Sequence, residues 1–293
     1  MIIRKPYHDF LYYNYMTINC KGKLIDLTSP KVMGIINVTP NSFYDGGKYK
    51  TTTDVLNNTE VMLTAGATFI DIGGYSSKPG AEIINEKEEI SRVLPIVKEI
   101  IKEFPQALLS IDTFRSAVAE QCIEAGAAII NDISAGKFDS KILEIVAAAQ
   151  VPYVMMHMKG TPQTMQGLAQ YENILKEILF YFSERIAMAR SYGINDIIVD
   201  PGFGFAKNID QNYELMQKLQ LLQILDLTLL IGVSRKSMVY KPLNSDATQA
   251  LNGTTALHTI ALSKGANILR VHDVKEAMEC ITLFNKTKYE AKC

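Results

Sequence analysis

The chain has 293 residues, 47% of them hydrophobic and 21% charged, with a formal net charge of −1. That is enough chain for one large core or two modest ones, and the near-neutral balance leaves no basic footprint for nucleic acid. No apolar run reaches the length of a membrane span. His8, Asp9 and Asn14 interrupt the apolar residues of the N-terminus, which makes it a poor signal peptide. Cys20, Cys122, Cys280 and Cys293 form no CxxC pair. They read as free thiols in a reducing compartment, not as a disulfide frame or zinc site. The expectation is a soluble cytoplasmic protein.

Residues 1–15 are aromatic and irregular and read as an extension, or as upstream sequence ahead of a true start at Met16. In TINCKGKLIDL two short runs flank Lys21-Gly22, a hairpin signal. The stretch MGIINVTPNSFYDGG opens within the apolar run Val32 to Val38 and breaks into Thr39-Pro40-Asn41-Ser42, which reads as strand then loop. Phe43, Tyr44 and Asp45 precede Gly46-Gly47 and read as presented on a mobile lid. Candidate strands are 32–37, 69–73, 108–112, 129–132, 153–157, 197–200, 229–233 and 268–272. Helical periodicity falls at 86–104, 116–125, 139–149, 171–192, 212–222 and 248–264. Pro95 should kink or restart the first of these. Gly66, Gly126, Gly193 and Gly265 each read as closing a helix before the next strand.

Eight short apolar strands alternating with helices indicate α/β architecture with a parallel sheet. Their number fits a closed (β/α)8 barrel, with the hairpin capping its bottom. A doubly wound open sheet is the alternative, and the GxGxxG fingerprint that usually follows its first strand is absent. No Pro/Gly/Ser-rich linker divides residues 16–293, which read as a single barrel domain.

Chemistry in such a barrel sits at the C-terminal ends of the strands. Those ends are Asn37, Asp71, Asp112, Asn131, Met156-His157, Asp200, Ser234-Arg235-Lys236 and Arg270 with His272. Any one of them could be a helix cap, but all eight converge on one rim. Asp112 and Asn131 lie within apolar strands and should be largely buried, where a carboxylate needs a cationic or donor partner. Asp112, Asn131 and Asp200 suit a flat heterocycle with ring N–H and amino groups. Lys236, Arg270 and His272 suit phosphate, as does the helix opened by Ser234–Ser237. Asn37 opposite a phosphate could hold a hard cation such as magnesium. His157 and His258 read as packed or capping histidines.

The stretches MGIINVTPNSFYDGG, DIGGYSSKPGA, LSIDTFRS, IINDISAG, YVMMHMKGTPQTMQ, IIVDPGFGFAK, GVSRKSM and ILRVHDV run in order over roughly residues 16–285, and together they resemble the dihydropteroate synthase family. The resemblance implies a (β/α)8 barrel and a transferase in folate biosynthesis that sulfonamides inhibit. It joins 6-hydroxymethyl-7,8-dihydropterin diphosphate to p-aminobenzoate, with Mg2+ as cofactor, acting on small-molecule substrates as a homodimer. By the same resemblance Asn37 is the magnesium ligand. Asp112, Asn131, Asp200 and Lys236 hold the pterin, Met156 packs in that pocket and Asp71 lies at its floor. Arg270 and His272 face the diphosphate, with Ser77 and Lys78 beside them. Phe43, Asp45, Ser77, Pro79, Phe205 and Ser237 form the p-aminobenzoate site. Asp112, Asp200, Lys236 and Arg270 are the expected catalytic groups. The chain departs from the family's GGESTRPG with Tyr75, Ser77 and Lys78, and from its first loop with Asn41. The rival readings are a methyltetrahydrofolate-binding methyltransferase, which would lack the first two loops and SRKS, and a degenerate pterin-binding paralogue, which would lose Asn37, Lys236 or Arg270.

Overall fold

The computed structural model describes residues 16–38, 51–76 and 84–287. Thr17–Cys20 (β1) and Lys23–Asp26 (β2) pair antiparallel around Lys21-Gly22, the expected hairpin. The parallel strands are Lys31–Asn37 (β3), Phe69–Gly73 (β4), Leu108–Asp112 (β5), Ile129–Asp132 (β6), Tyr153–Met156 (β7), Ile197–Asp200 (β8), Thr228–Ile231 (β9) and Ile268–Val271 (β10). They hydrogen-bond in chain order and close where β10 pairs with β3. The fold is therefore a (β/α)8 barrel, and the open-sheet alternative is overturned. No described helix is long and apolar enough to cross a membrane. Cys20, Cys122 and Cys280 are buried free thiols.

Helix boundaries shift from the expected ones where polar side chains cap the backbone. A capping box between Asn208 and Gln211 starts a helix at Ile209, earlier than expected; it ends at Gln217 and a 3-10 stretch, Leu219–Leu225, follows. Asn173 caps the helix Ile174–Ser191, and Asp139 spends its carboxylate on the Ser116 and Lys141 amides, so the next helix begins at Lys141. Helices at Thr52–Thr64 and Val274–Thr287 add to the expected set. Pro95 does not restart the helix: one helix, Glu86–Glu103, runs through it. Pro95 lies on the exposed face, where water can take the carbonyl it leaves unpaired, while Val93, Val97 and Ile100 keep the opposite face buried. Gly66, Gly126, Gly193 and Gly265 all have positive φ, as helix-closing glycines should.

The strands divide their side chains by parity. Val32, Ile36, Ile70, Ile72, Leu109 and Ile111 pack outward with the helices in the main core. Met33, Phe69, Leu108, Ile129, Val154, Ile198, Leu230 and Ile268 form a separate cluster with Ile18, Cys20, Ile25 and Leu27 of the hairpin. The hairpin thus plugs the N-terminal end of the barrel, tied by the Asn19 amide donating to Asp196 Oδ2 at 3.0 Å. An inward apolar floor with outward apolar walls leaves the inward positions nearer the C-terminal ends as the place for polar groups.

Candidate active site

Two residues beyond that floor, the same inward parity carries Asp71, Ser110, Asn131, Met156, Asp200, Gly232 and Arg270. Two further on stand Asn37, Gly73, Asp112 and His272. Strand register then sets the neighbours: Asp71 lies beside Ser110, Asp112 beside Asn131, and Met156 beside Asp200.

Arg270 is the hub on one side. Its Nε donates to Asp71 Oδ2 at 2.6 Å and its Nη2 to Asp112 Oδ2 at 2.7 Å. Asn131 Nδ2 also donates to Asp71 Oδ2, at 3.0 Å. Asp71 is fully buried, while Asp112 and Arg270 keep 17% and 18% of their side chains exposed. Asp112 is thus largely buried, as its apolar strand suggested, with its residual exposure at the mouth where it ends β5. Both carboxylates find their cation inside the protein. Burial pushes the Asp112 carboxyl up to about 7, against the pull of Arg270 and with help from the Asp71 charge. Burial would lower Arg270, but Asp71 and Asp112 outweigh it and hold the guanidinium above its usual value.

Across the mouth, Lys236 Nζ donates to the Phe203 carbonyl at 2.6 Å and lies 4.9 Å from the centre of the Phe205 ring. Burial draws its amine down to about 8, and Asp200 opposes the shift. Asp200 is raised by burial, held back by Lys236 and by the Gly202 amide, which donates to Oδ1 at 2.7 Å. Of the triplet 234–236, Arg235 turns away: it forks onto Asp273 and the carbonyls of Ala247 and Thr248. Ser234 Oγ lies 3.0 Å from His272 Nδ1, fixing that ring on the rim. Ser237 opens the short helix Ser237–Tyr240 behind Lys236.

Space for a ligand comes from inward glycines. A Cβ on Gly232 would stand 3.8 Å from Lys236 Nζ and 3.9 Å from Asp200 Oδ2. One on Gly73 would stand 3.6 Å from Asn37 Oδ1 and 3.7 Å from Asp112 Oδ2. Asn37 Oδ1 and the Asp112 carboxylate therefore approach the same opening with hard oxygen donors. The apolar wall is a cluster of Ile133, Met156, Met158, Met165 and Ala206, flanked by Phe114 and Phe205. Ser110 Oγ and Asp71 Oδ1 are buried with no hydrogen-bond partner among the described residues, acceptors suited to a ligand rich in N–H donors. Sequence reasoning missed Ser110, Gly73, Gly232, Ile133 and Phe114; for the first three a polar or absent side chain at inward parity was the available signal. Phe43, Asp45, Ser77, Lys78 and Pro79 lie outside the described residues. Tyr75, where the family has Glu, accepts from Gln163 Nε2 at 2.8 Å and meets Phe114 edge-on at 5.3 Å.

A plugged barrel whose mouth combines buried carboxylates, an amide, paired cations and a flat apolar wall defines a pterin-binding barrel enzyme, and residues 33–272 match the family described as pterin binding enzyme. The dihydropteroate synthase of Escherichia coli (strain K12) is 41% identical over 274 residues, 93% of this chain and 96% of that protein. The Yersinia pestis dihydropteroate synthase, solved in a sulfonamide drug complex, superposes with a TM-score of 0.90 at 42% identity, covering 93% of this chain and 99% of that one. The Xanthomonas albilineans dihydropteroate synthase, solved with 4-aminobenzoic acid, gives a TM-score of 0.86 at 34% identity over 94% and 98% of the two chains. The chain belongs to the dihydropteroate synthase family, transferases that condense a pterin diphosphate with p-aminobenzoate.

Proposed function

We propose that this rim carries out the family's condensation with the following division of labour. The pterin of 6-hydroxymethyl-7,8-dihydropterin diphosphate lies against Met156 and under Arg270. Its N–H and amino groups donate to Asp112, Asn131 and Asp200, and Lys236 donates to a ring acceptor. Diphosphate leaves toward His272 and Arg270, with Ser77 and Lys78 on the second loop. The C–O bond to diphosphate breaks ahead of C–N bond formation, and Asp112 and Asp200 stabilise the positive charge that spreads over the pterin methylene. The aniline nitrogen of p-aminobenzoate, held by Phe205 and Ser237 with Phe43, Asp45, Ser77 and Pro79, attacks that carbon and loses a proton. Sulfonamides compete as mimics of p-aminobenzoate. The observation that carries this reading is the Arg270 guanidinium paired with two inward carboxylates, Asp71 and Asp112, opposite Lys236 and Asp200, which flank the inward Gly232.

A magnesium ion fits this arrangement. Among the described residues no cluster of His, Cys, Asp and Glu could hold a metal alone. Asn37 Oδ1 faces the opening at Gly73 and is an oxygen donor of the kind that shares Mg2+ with phosphate oxygens and water. Bound there, the ion would neutralise the diphosphate as it leaves. Asn37→Ala is expected to cut turnover by about a hundredfold with an unchanged melting temperature, and to raise the magnesium concentration needed for half-maximal rate. Normal activity at low magnesium would remove Asn37 from this role.

Binding of the pterin should depend on pH through Asp112. Its carboxyl sits near 7, so the anion that accepts pterin N–H groups is lost as pH falls below that value. Affinity for 6-hydroxymethylpterin is expected to rise with pH through about 7. Asp112→Asn should flatten that limb and cost roughly 1.5–3 kcal/mol of binding. Calorimetry on both proteins checks this; equal affinities at pH 8 would make Asp112 structural. We further propose a homodimer, supported by the exposed apolar side chains of Leu221 and Ile224; a single chain mass by light scattering would overturn it.

A further inference from the structure

The loop after β8, within DPGFGFAK, ends on a lysine to which no role has been given. Lys207 is 8% exposed, and its ammonium uses three partners: the Gly202 carbonyl at 2.8 Å, the Phe205 carbonyl at 3.0 Å and His157 Nδ1 at 3.1 Å. Those contacts satisfy all three of its donors, and no carboxylate among the described residues is in hydrogen-bonding reach of it. The chain curls to deliver them. Gly202, Gly204 and Ala206 have φ of +70°, +83° and +47°, and the left-handed residues bring the carbonyls of residues 202 and 205 to one point. A Cβ on Gly202 would lie 2.1 Å from the His157 carbonyl oxygen, so the loop rests directly on the end of β7.

The same short loop is gripped from the other side by the site. The Phe203 carbonyl accepts from Lys236 Nζ at 2.6 Å, the Phe205 ring covers that amine, and the Gly202 amide donates to Asp200. Carbonyls 202 and 205 therefore face Lys207, and carbonyl 203 faces Lys236.

We propose that Lys207 is a positioning residue: its ammonium winds residues 202–206 so that the Phe203 carbonyl and the Phe205 ring hold the Lys236 amine over Asp200. Lys207 itself touches no substrate. His157 completes the grip by supplying the third acceptor, which requires its neutral ring to carry the proton on Nε2. Burial, aided by Lys207, keeps that ring well below its usual pKa, consistent with the acceptor role. The inference rests on the condensation assigned above, in which Lys236 binds the pterin.

A double-mutant cycle tests it. Lys207→Met, Lys236→Met and the double variant are compared by circular dichroism, melting temperature, kcat and KM for each substrate, and calorimetric affinity for 6-hydroxymethylpterin. If Lys207 acts through Lys236, Lys207→Met lowers kcat/KM for the pterin diphosphate by roughly ten- to a hundredfold, the scale of a misplaced catalytic group. The double variant then loses no more than Lys236→Met alone. Multiplicative losses, or a folded Lys207→Met with wild-type constants, overturn the proposal. Should Lys207→Met fail to fold, His157→Phe removes one acceptor and keeps the ring packed on Tyr181, whose centroid is 4.8 Å away. It should show the same non-additivity with Lys236→Met at smaller amplitude, and additivity there counts against the proposal. Inactive wild-type protein would instead defeat the functional reading.

Discussion

Arg270→Met is expected to lower kcat/KM by about a thousandfold and to destabilise the fold by about 3–5 kcal/mol near neutral pH. One guanidinium serves two carboxylates, and one of them, Asp71, is fully buried. Removing it strands both charges, and stranding is costlier than never having built the pair. The sign of the pH dependence follows. Burial already raises Asp112 to about 7 with Arg270 opposing it; without Arg270 it rises further. The folded variant then holds a proton that the unfolded chain releases near pH 4, so its stability falls as pH rises through that window. Wild-type Asp112 already holds its proton below about 7, so the gap in melting temperature between variant and wild type should widen as pH rises above that value and stay level below it. Adding Asp71→Asn to Arg270→Met should recover stability but not activity. A variant as stable as wild type at pH 8 would mean that the network carries no buried charge to balance.

Gly202→Ala is the second large effect. Alanine must take φ +70° and place its Cβ 2.1 Å from the His157 carbonyl, a backbone atom that cannot swing aside. The left-handed conformation alone costs about 1 kcal/mol, and relieving the clash means lifting the loop off β7. A loss of about 3 kcal/mol or more is expected. Turnover should fall with it, because the Gly202 amide holds Asp200 and the Gly202 carbonyl holds Lys207. Denaturant unfolding and kinetics on one preparation check both; a change below 1 kcal/mol would show that the loop accommodates a side chain.

These two residues mark how far the sequence could be read. Strands 69–73, 108–112, 129–132 and 197–200 were legible to the residue, because each is an apolar run that ends where the chain meets the polar rim. Inward placement of Asp71, Asp112, Asn131, Asp200 and Arg270 follows from alternation once the strands are known. Their partners do not. Arg270 and Asp71 are 199 residues apart in the chain, and only closure of β10 onto β3, with β4 beyond it, brings them together. The loop 202–206 was opaque for a different reason. Its shape depends on left-handed backbone at Ala206 as well as at two glycines, and on a lysine reaching a histidine 50 residues upstream, neither of which has a periodicity. Helix starts drifted where caps such as Asn208 and Asp139 outranked apolar spacing.

The most direct test of the functional account is diphosphate release by the purified protein, followed with 6-hydroxymethyl-7,8-dihydropterin diphosphate and Mg2+, with and without p-aminobenzoate, while 7,8-dihydropteroate is measured in the same samples. The expected result is release matched one for one by dihydropteroate when p-aminobenzoate is present, and suppressed by a sulfonamide in competition with it. Folded protein that forms no dihydropteroate with both substrates present would contradict the account.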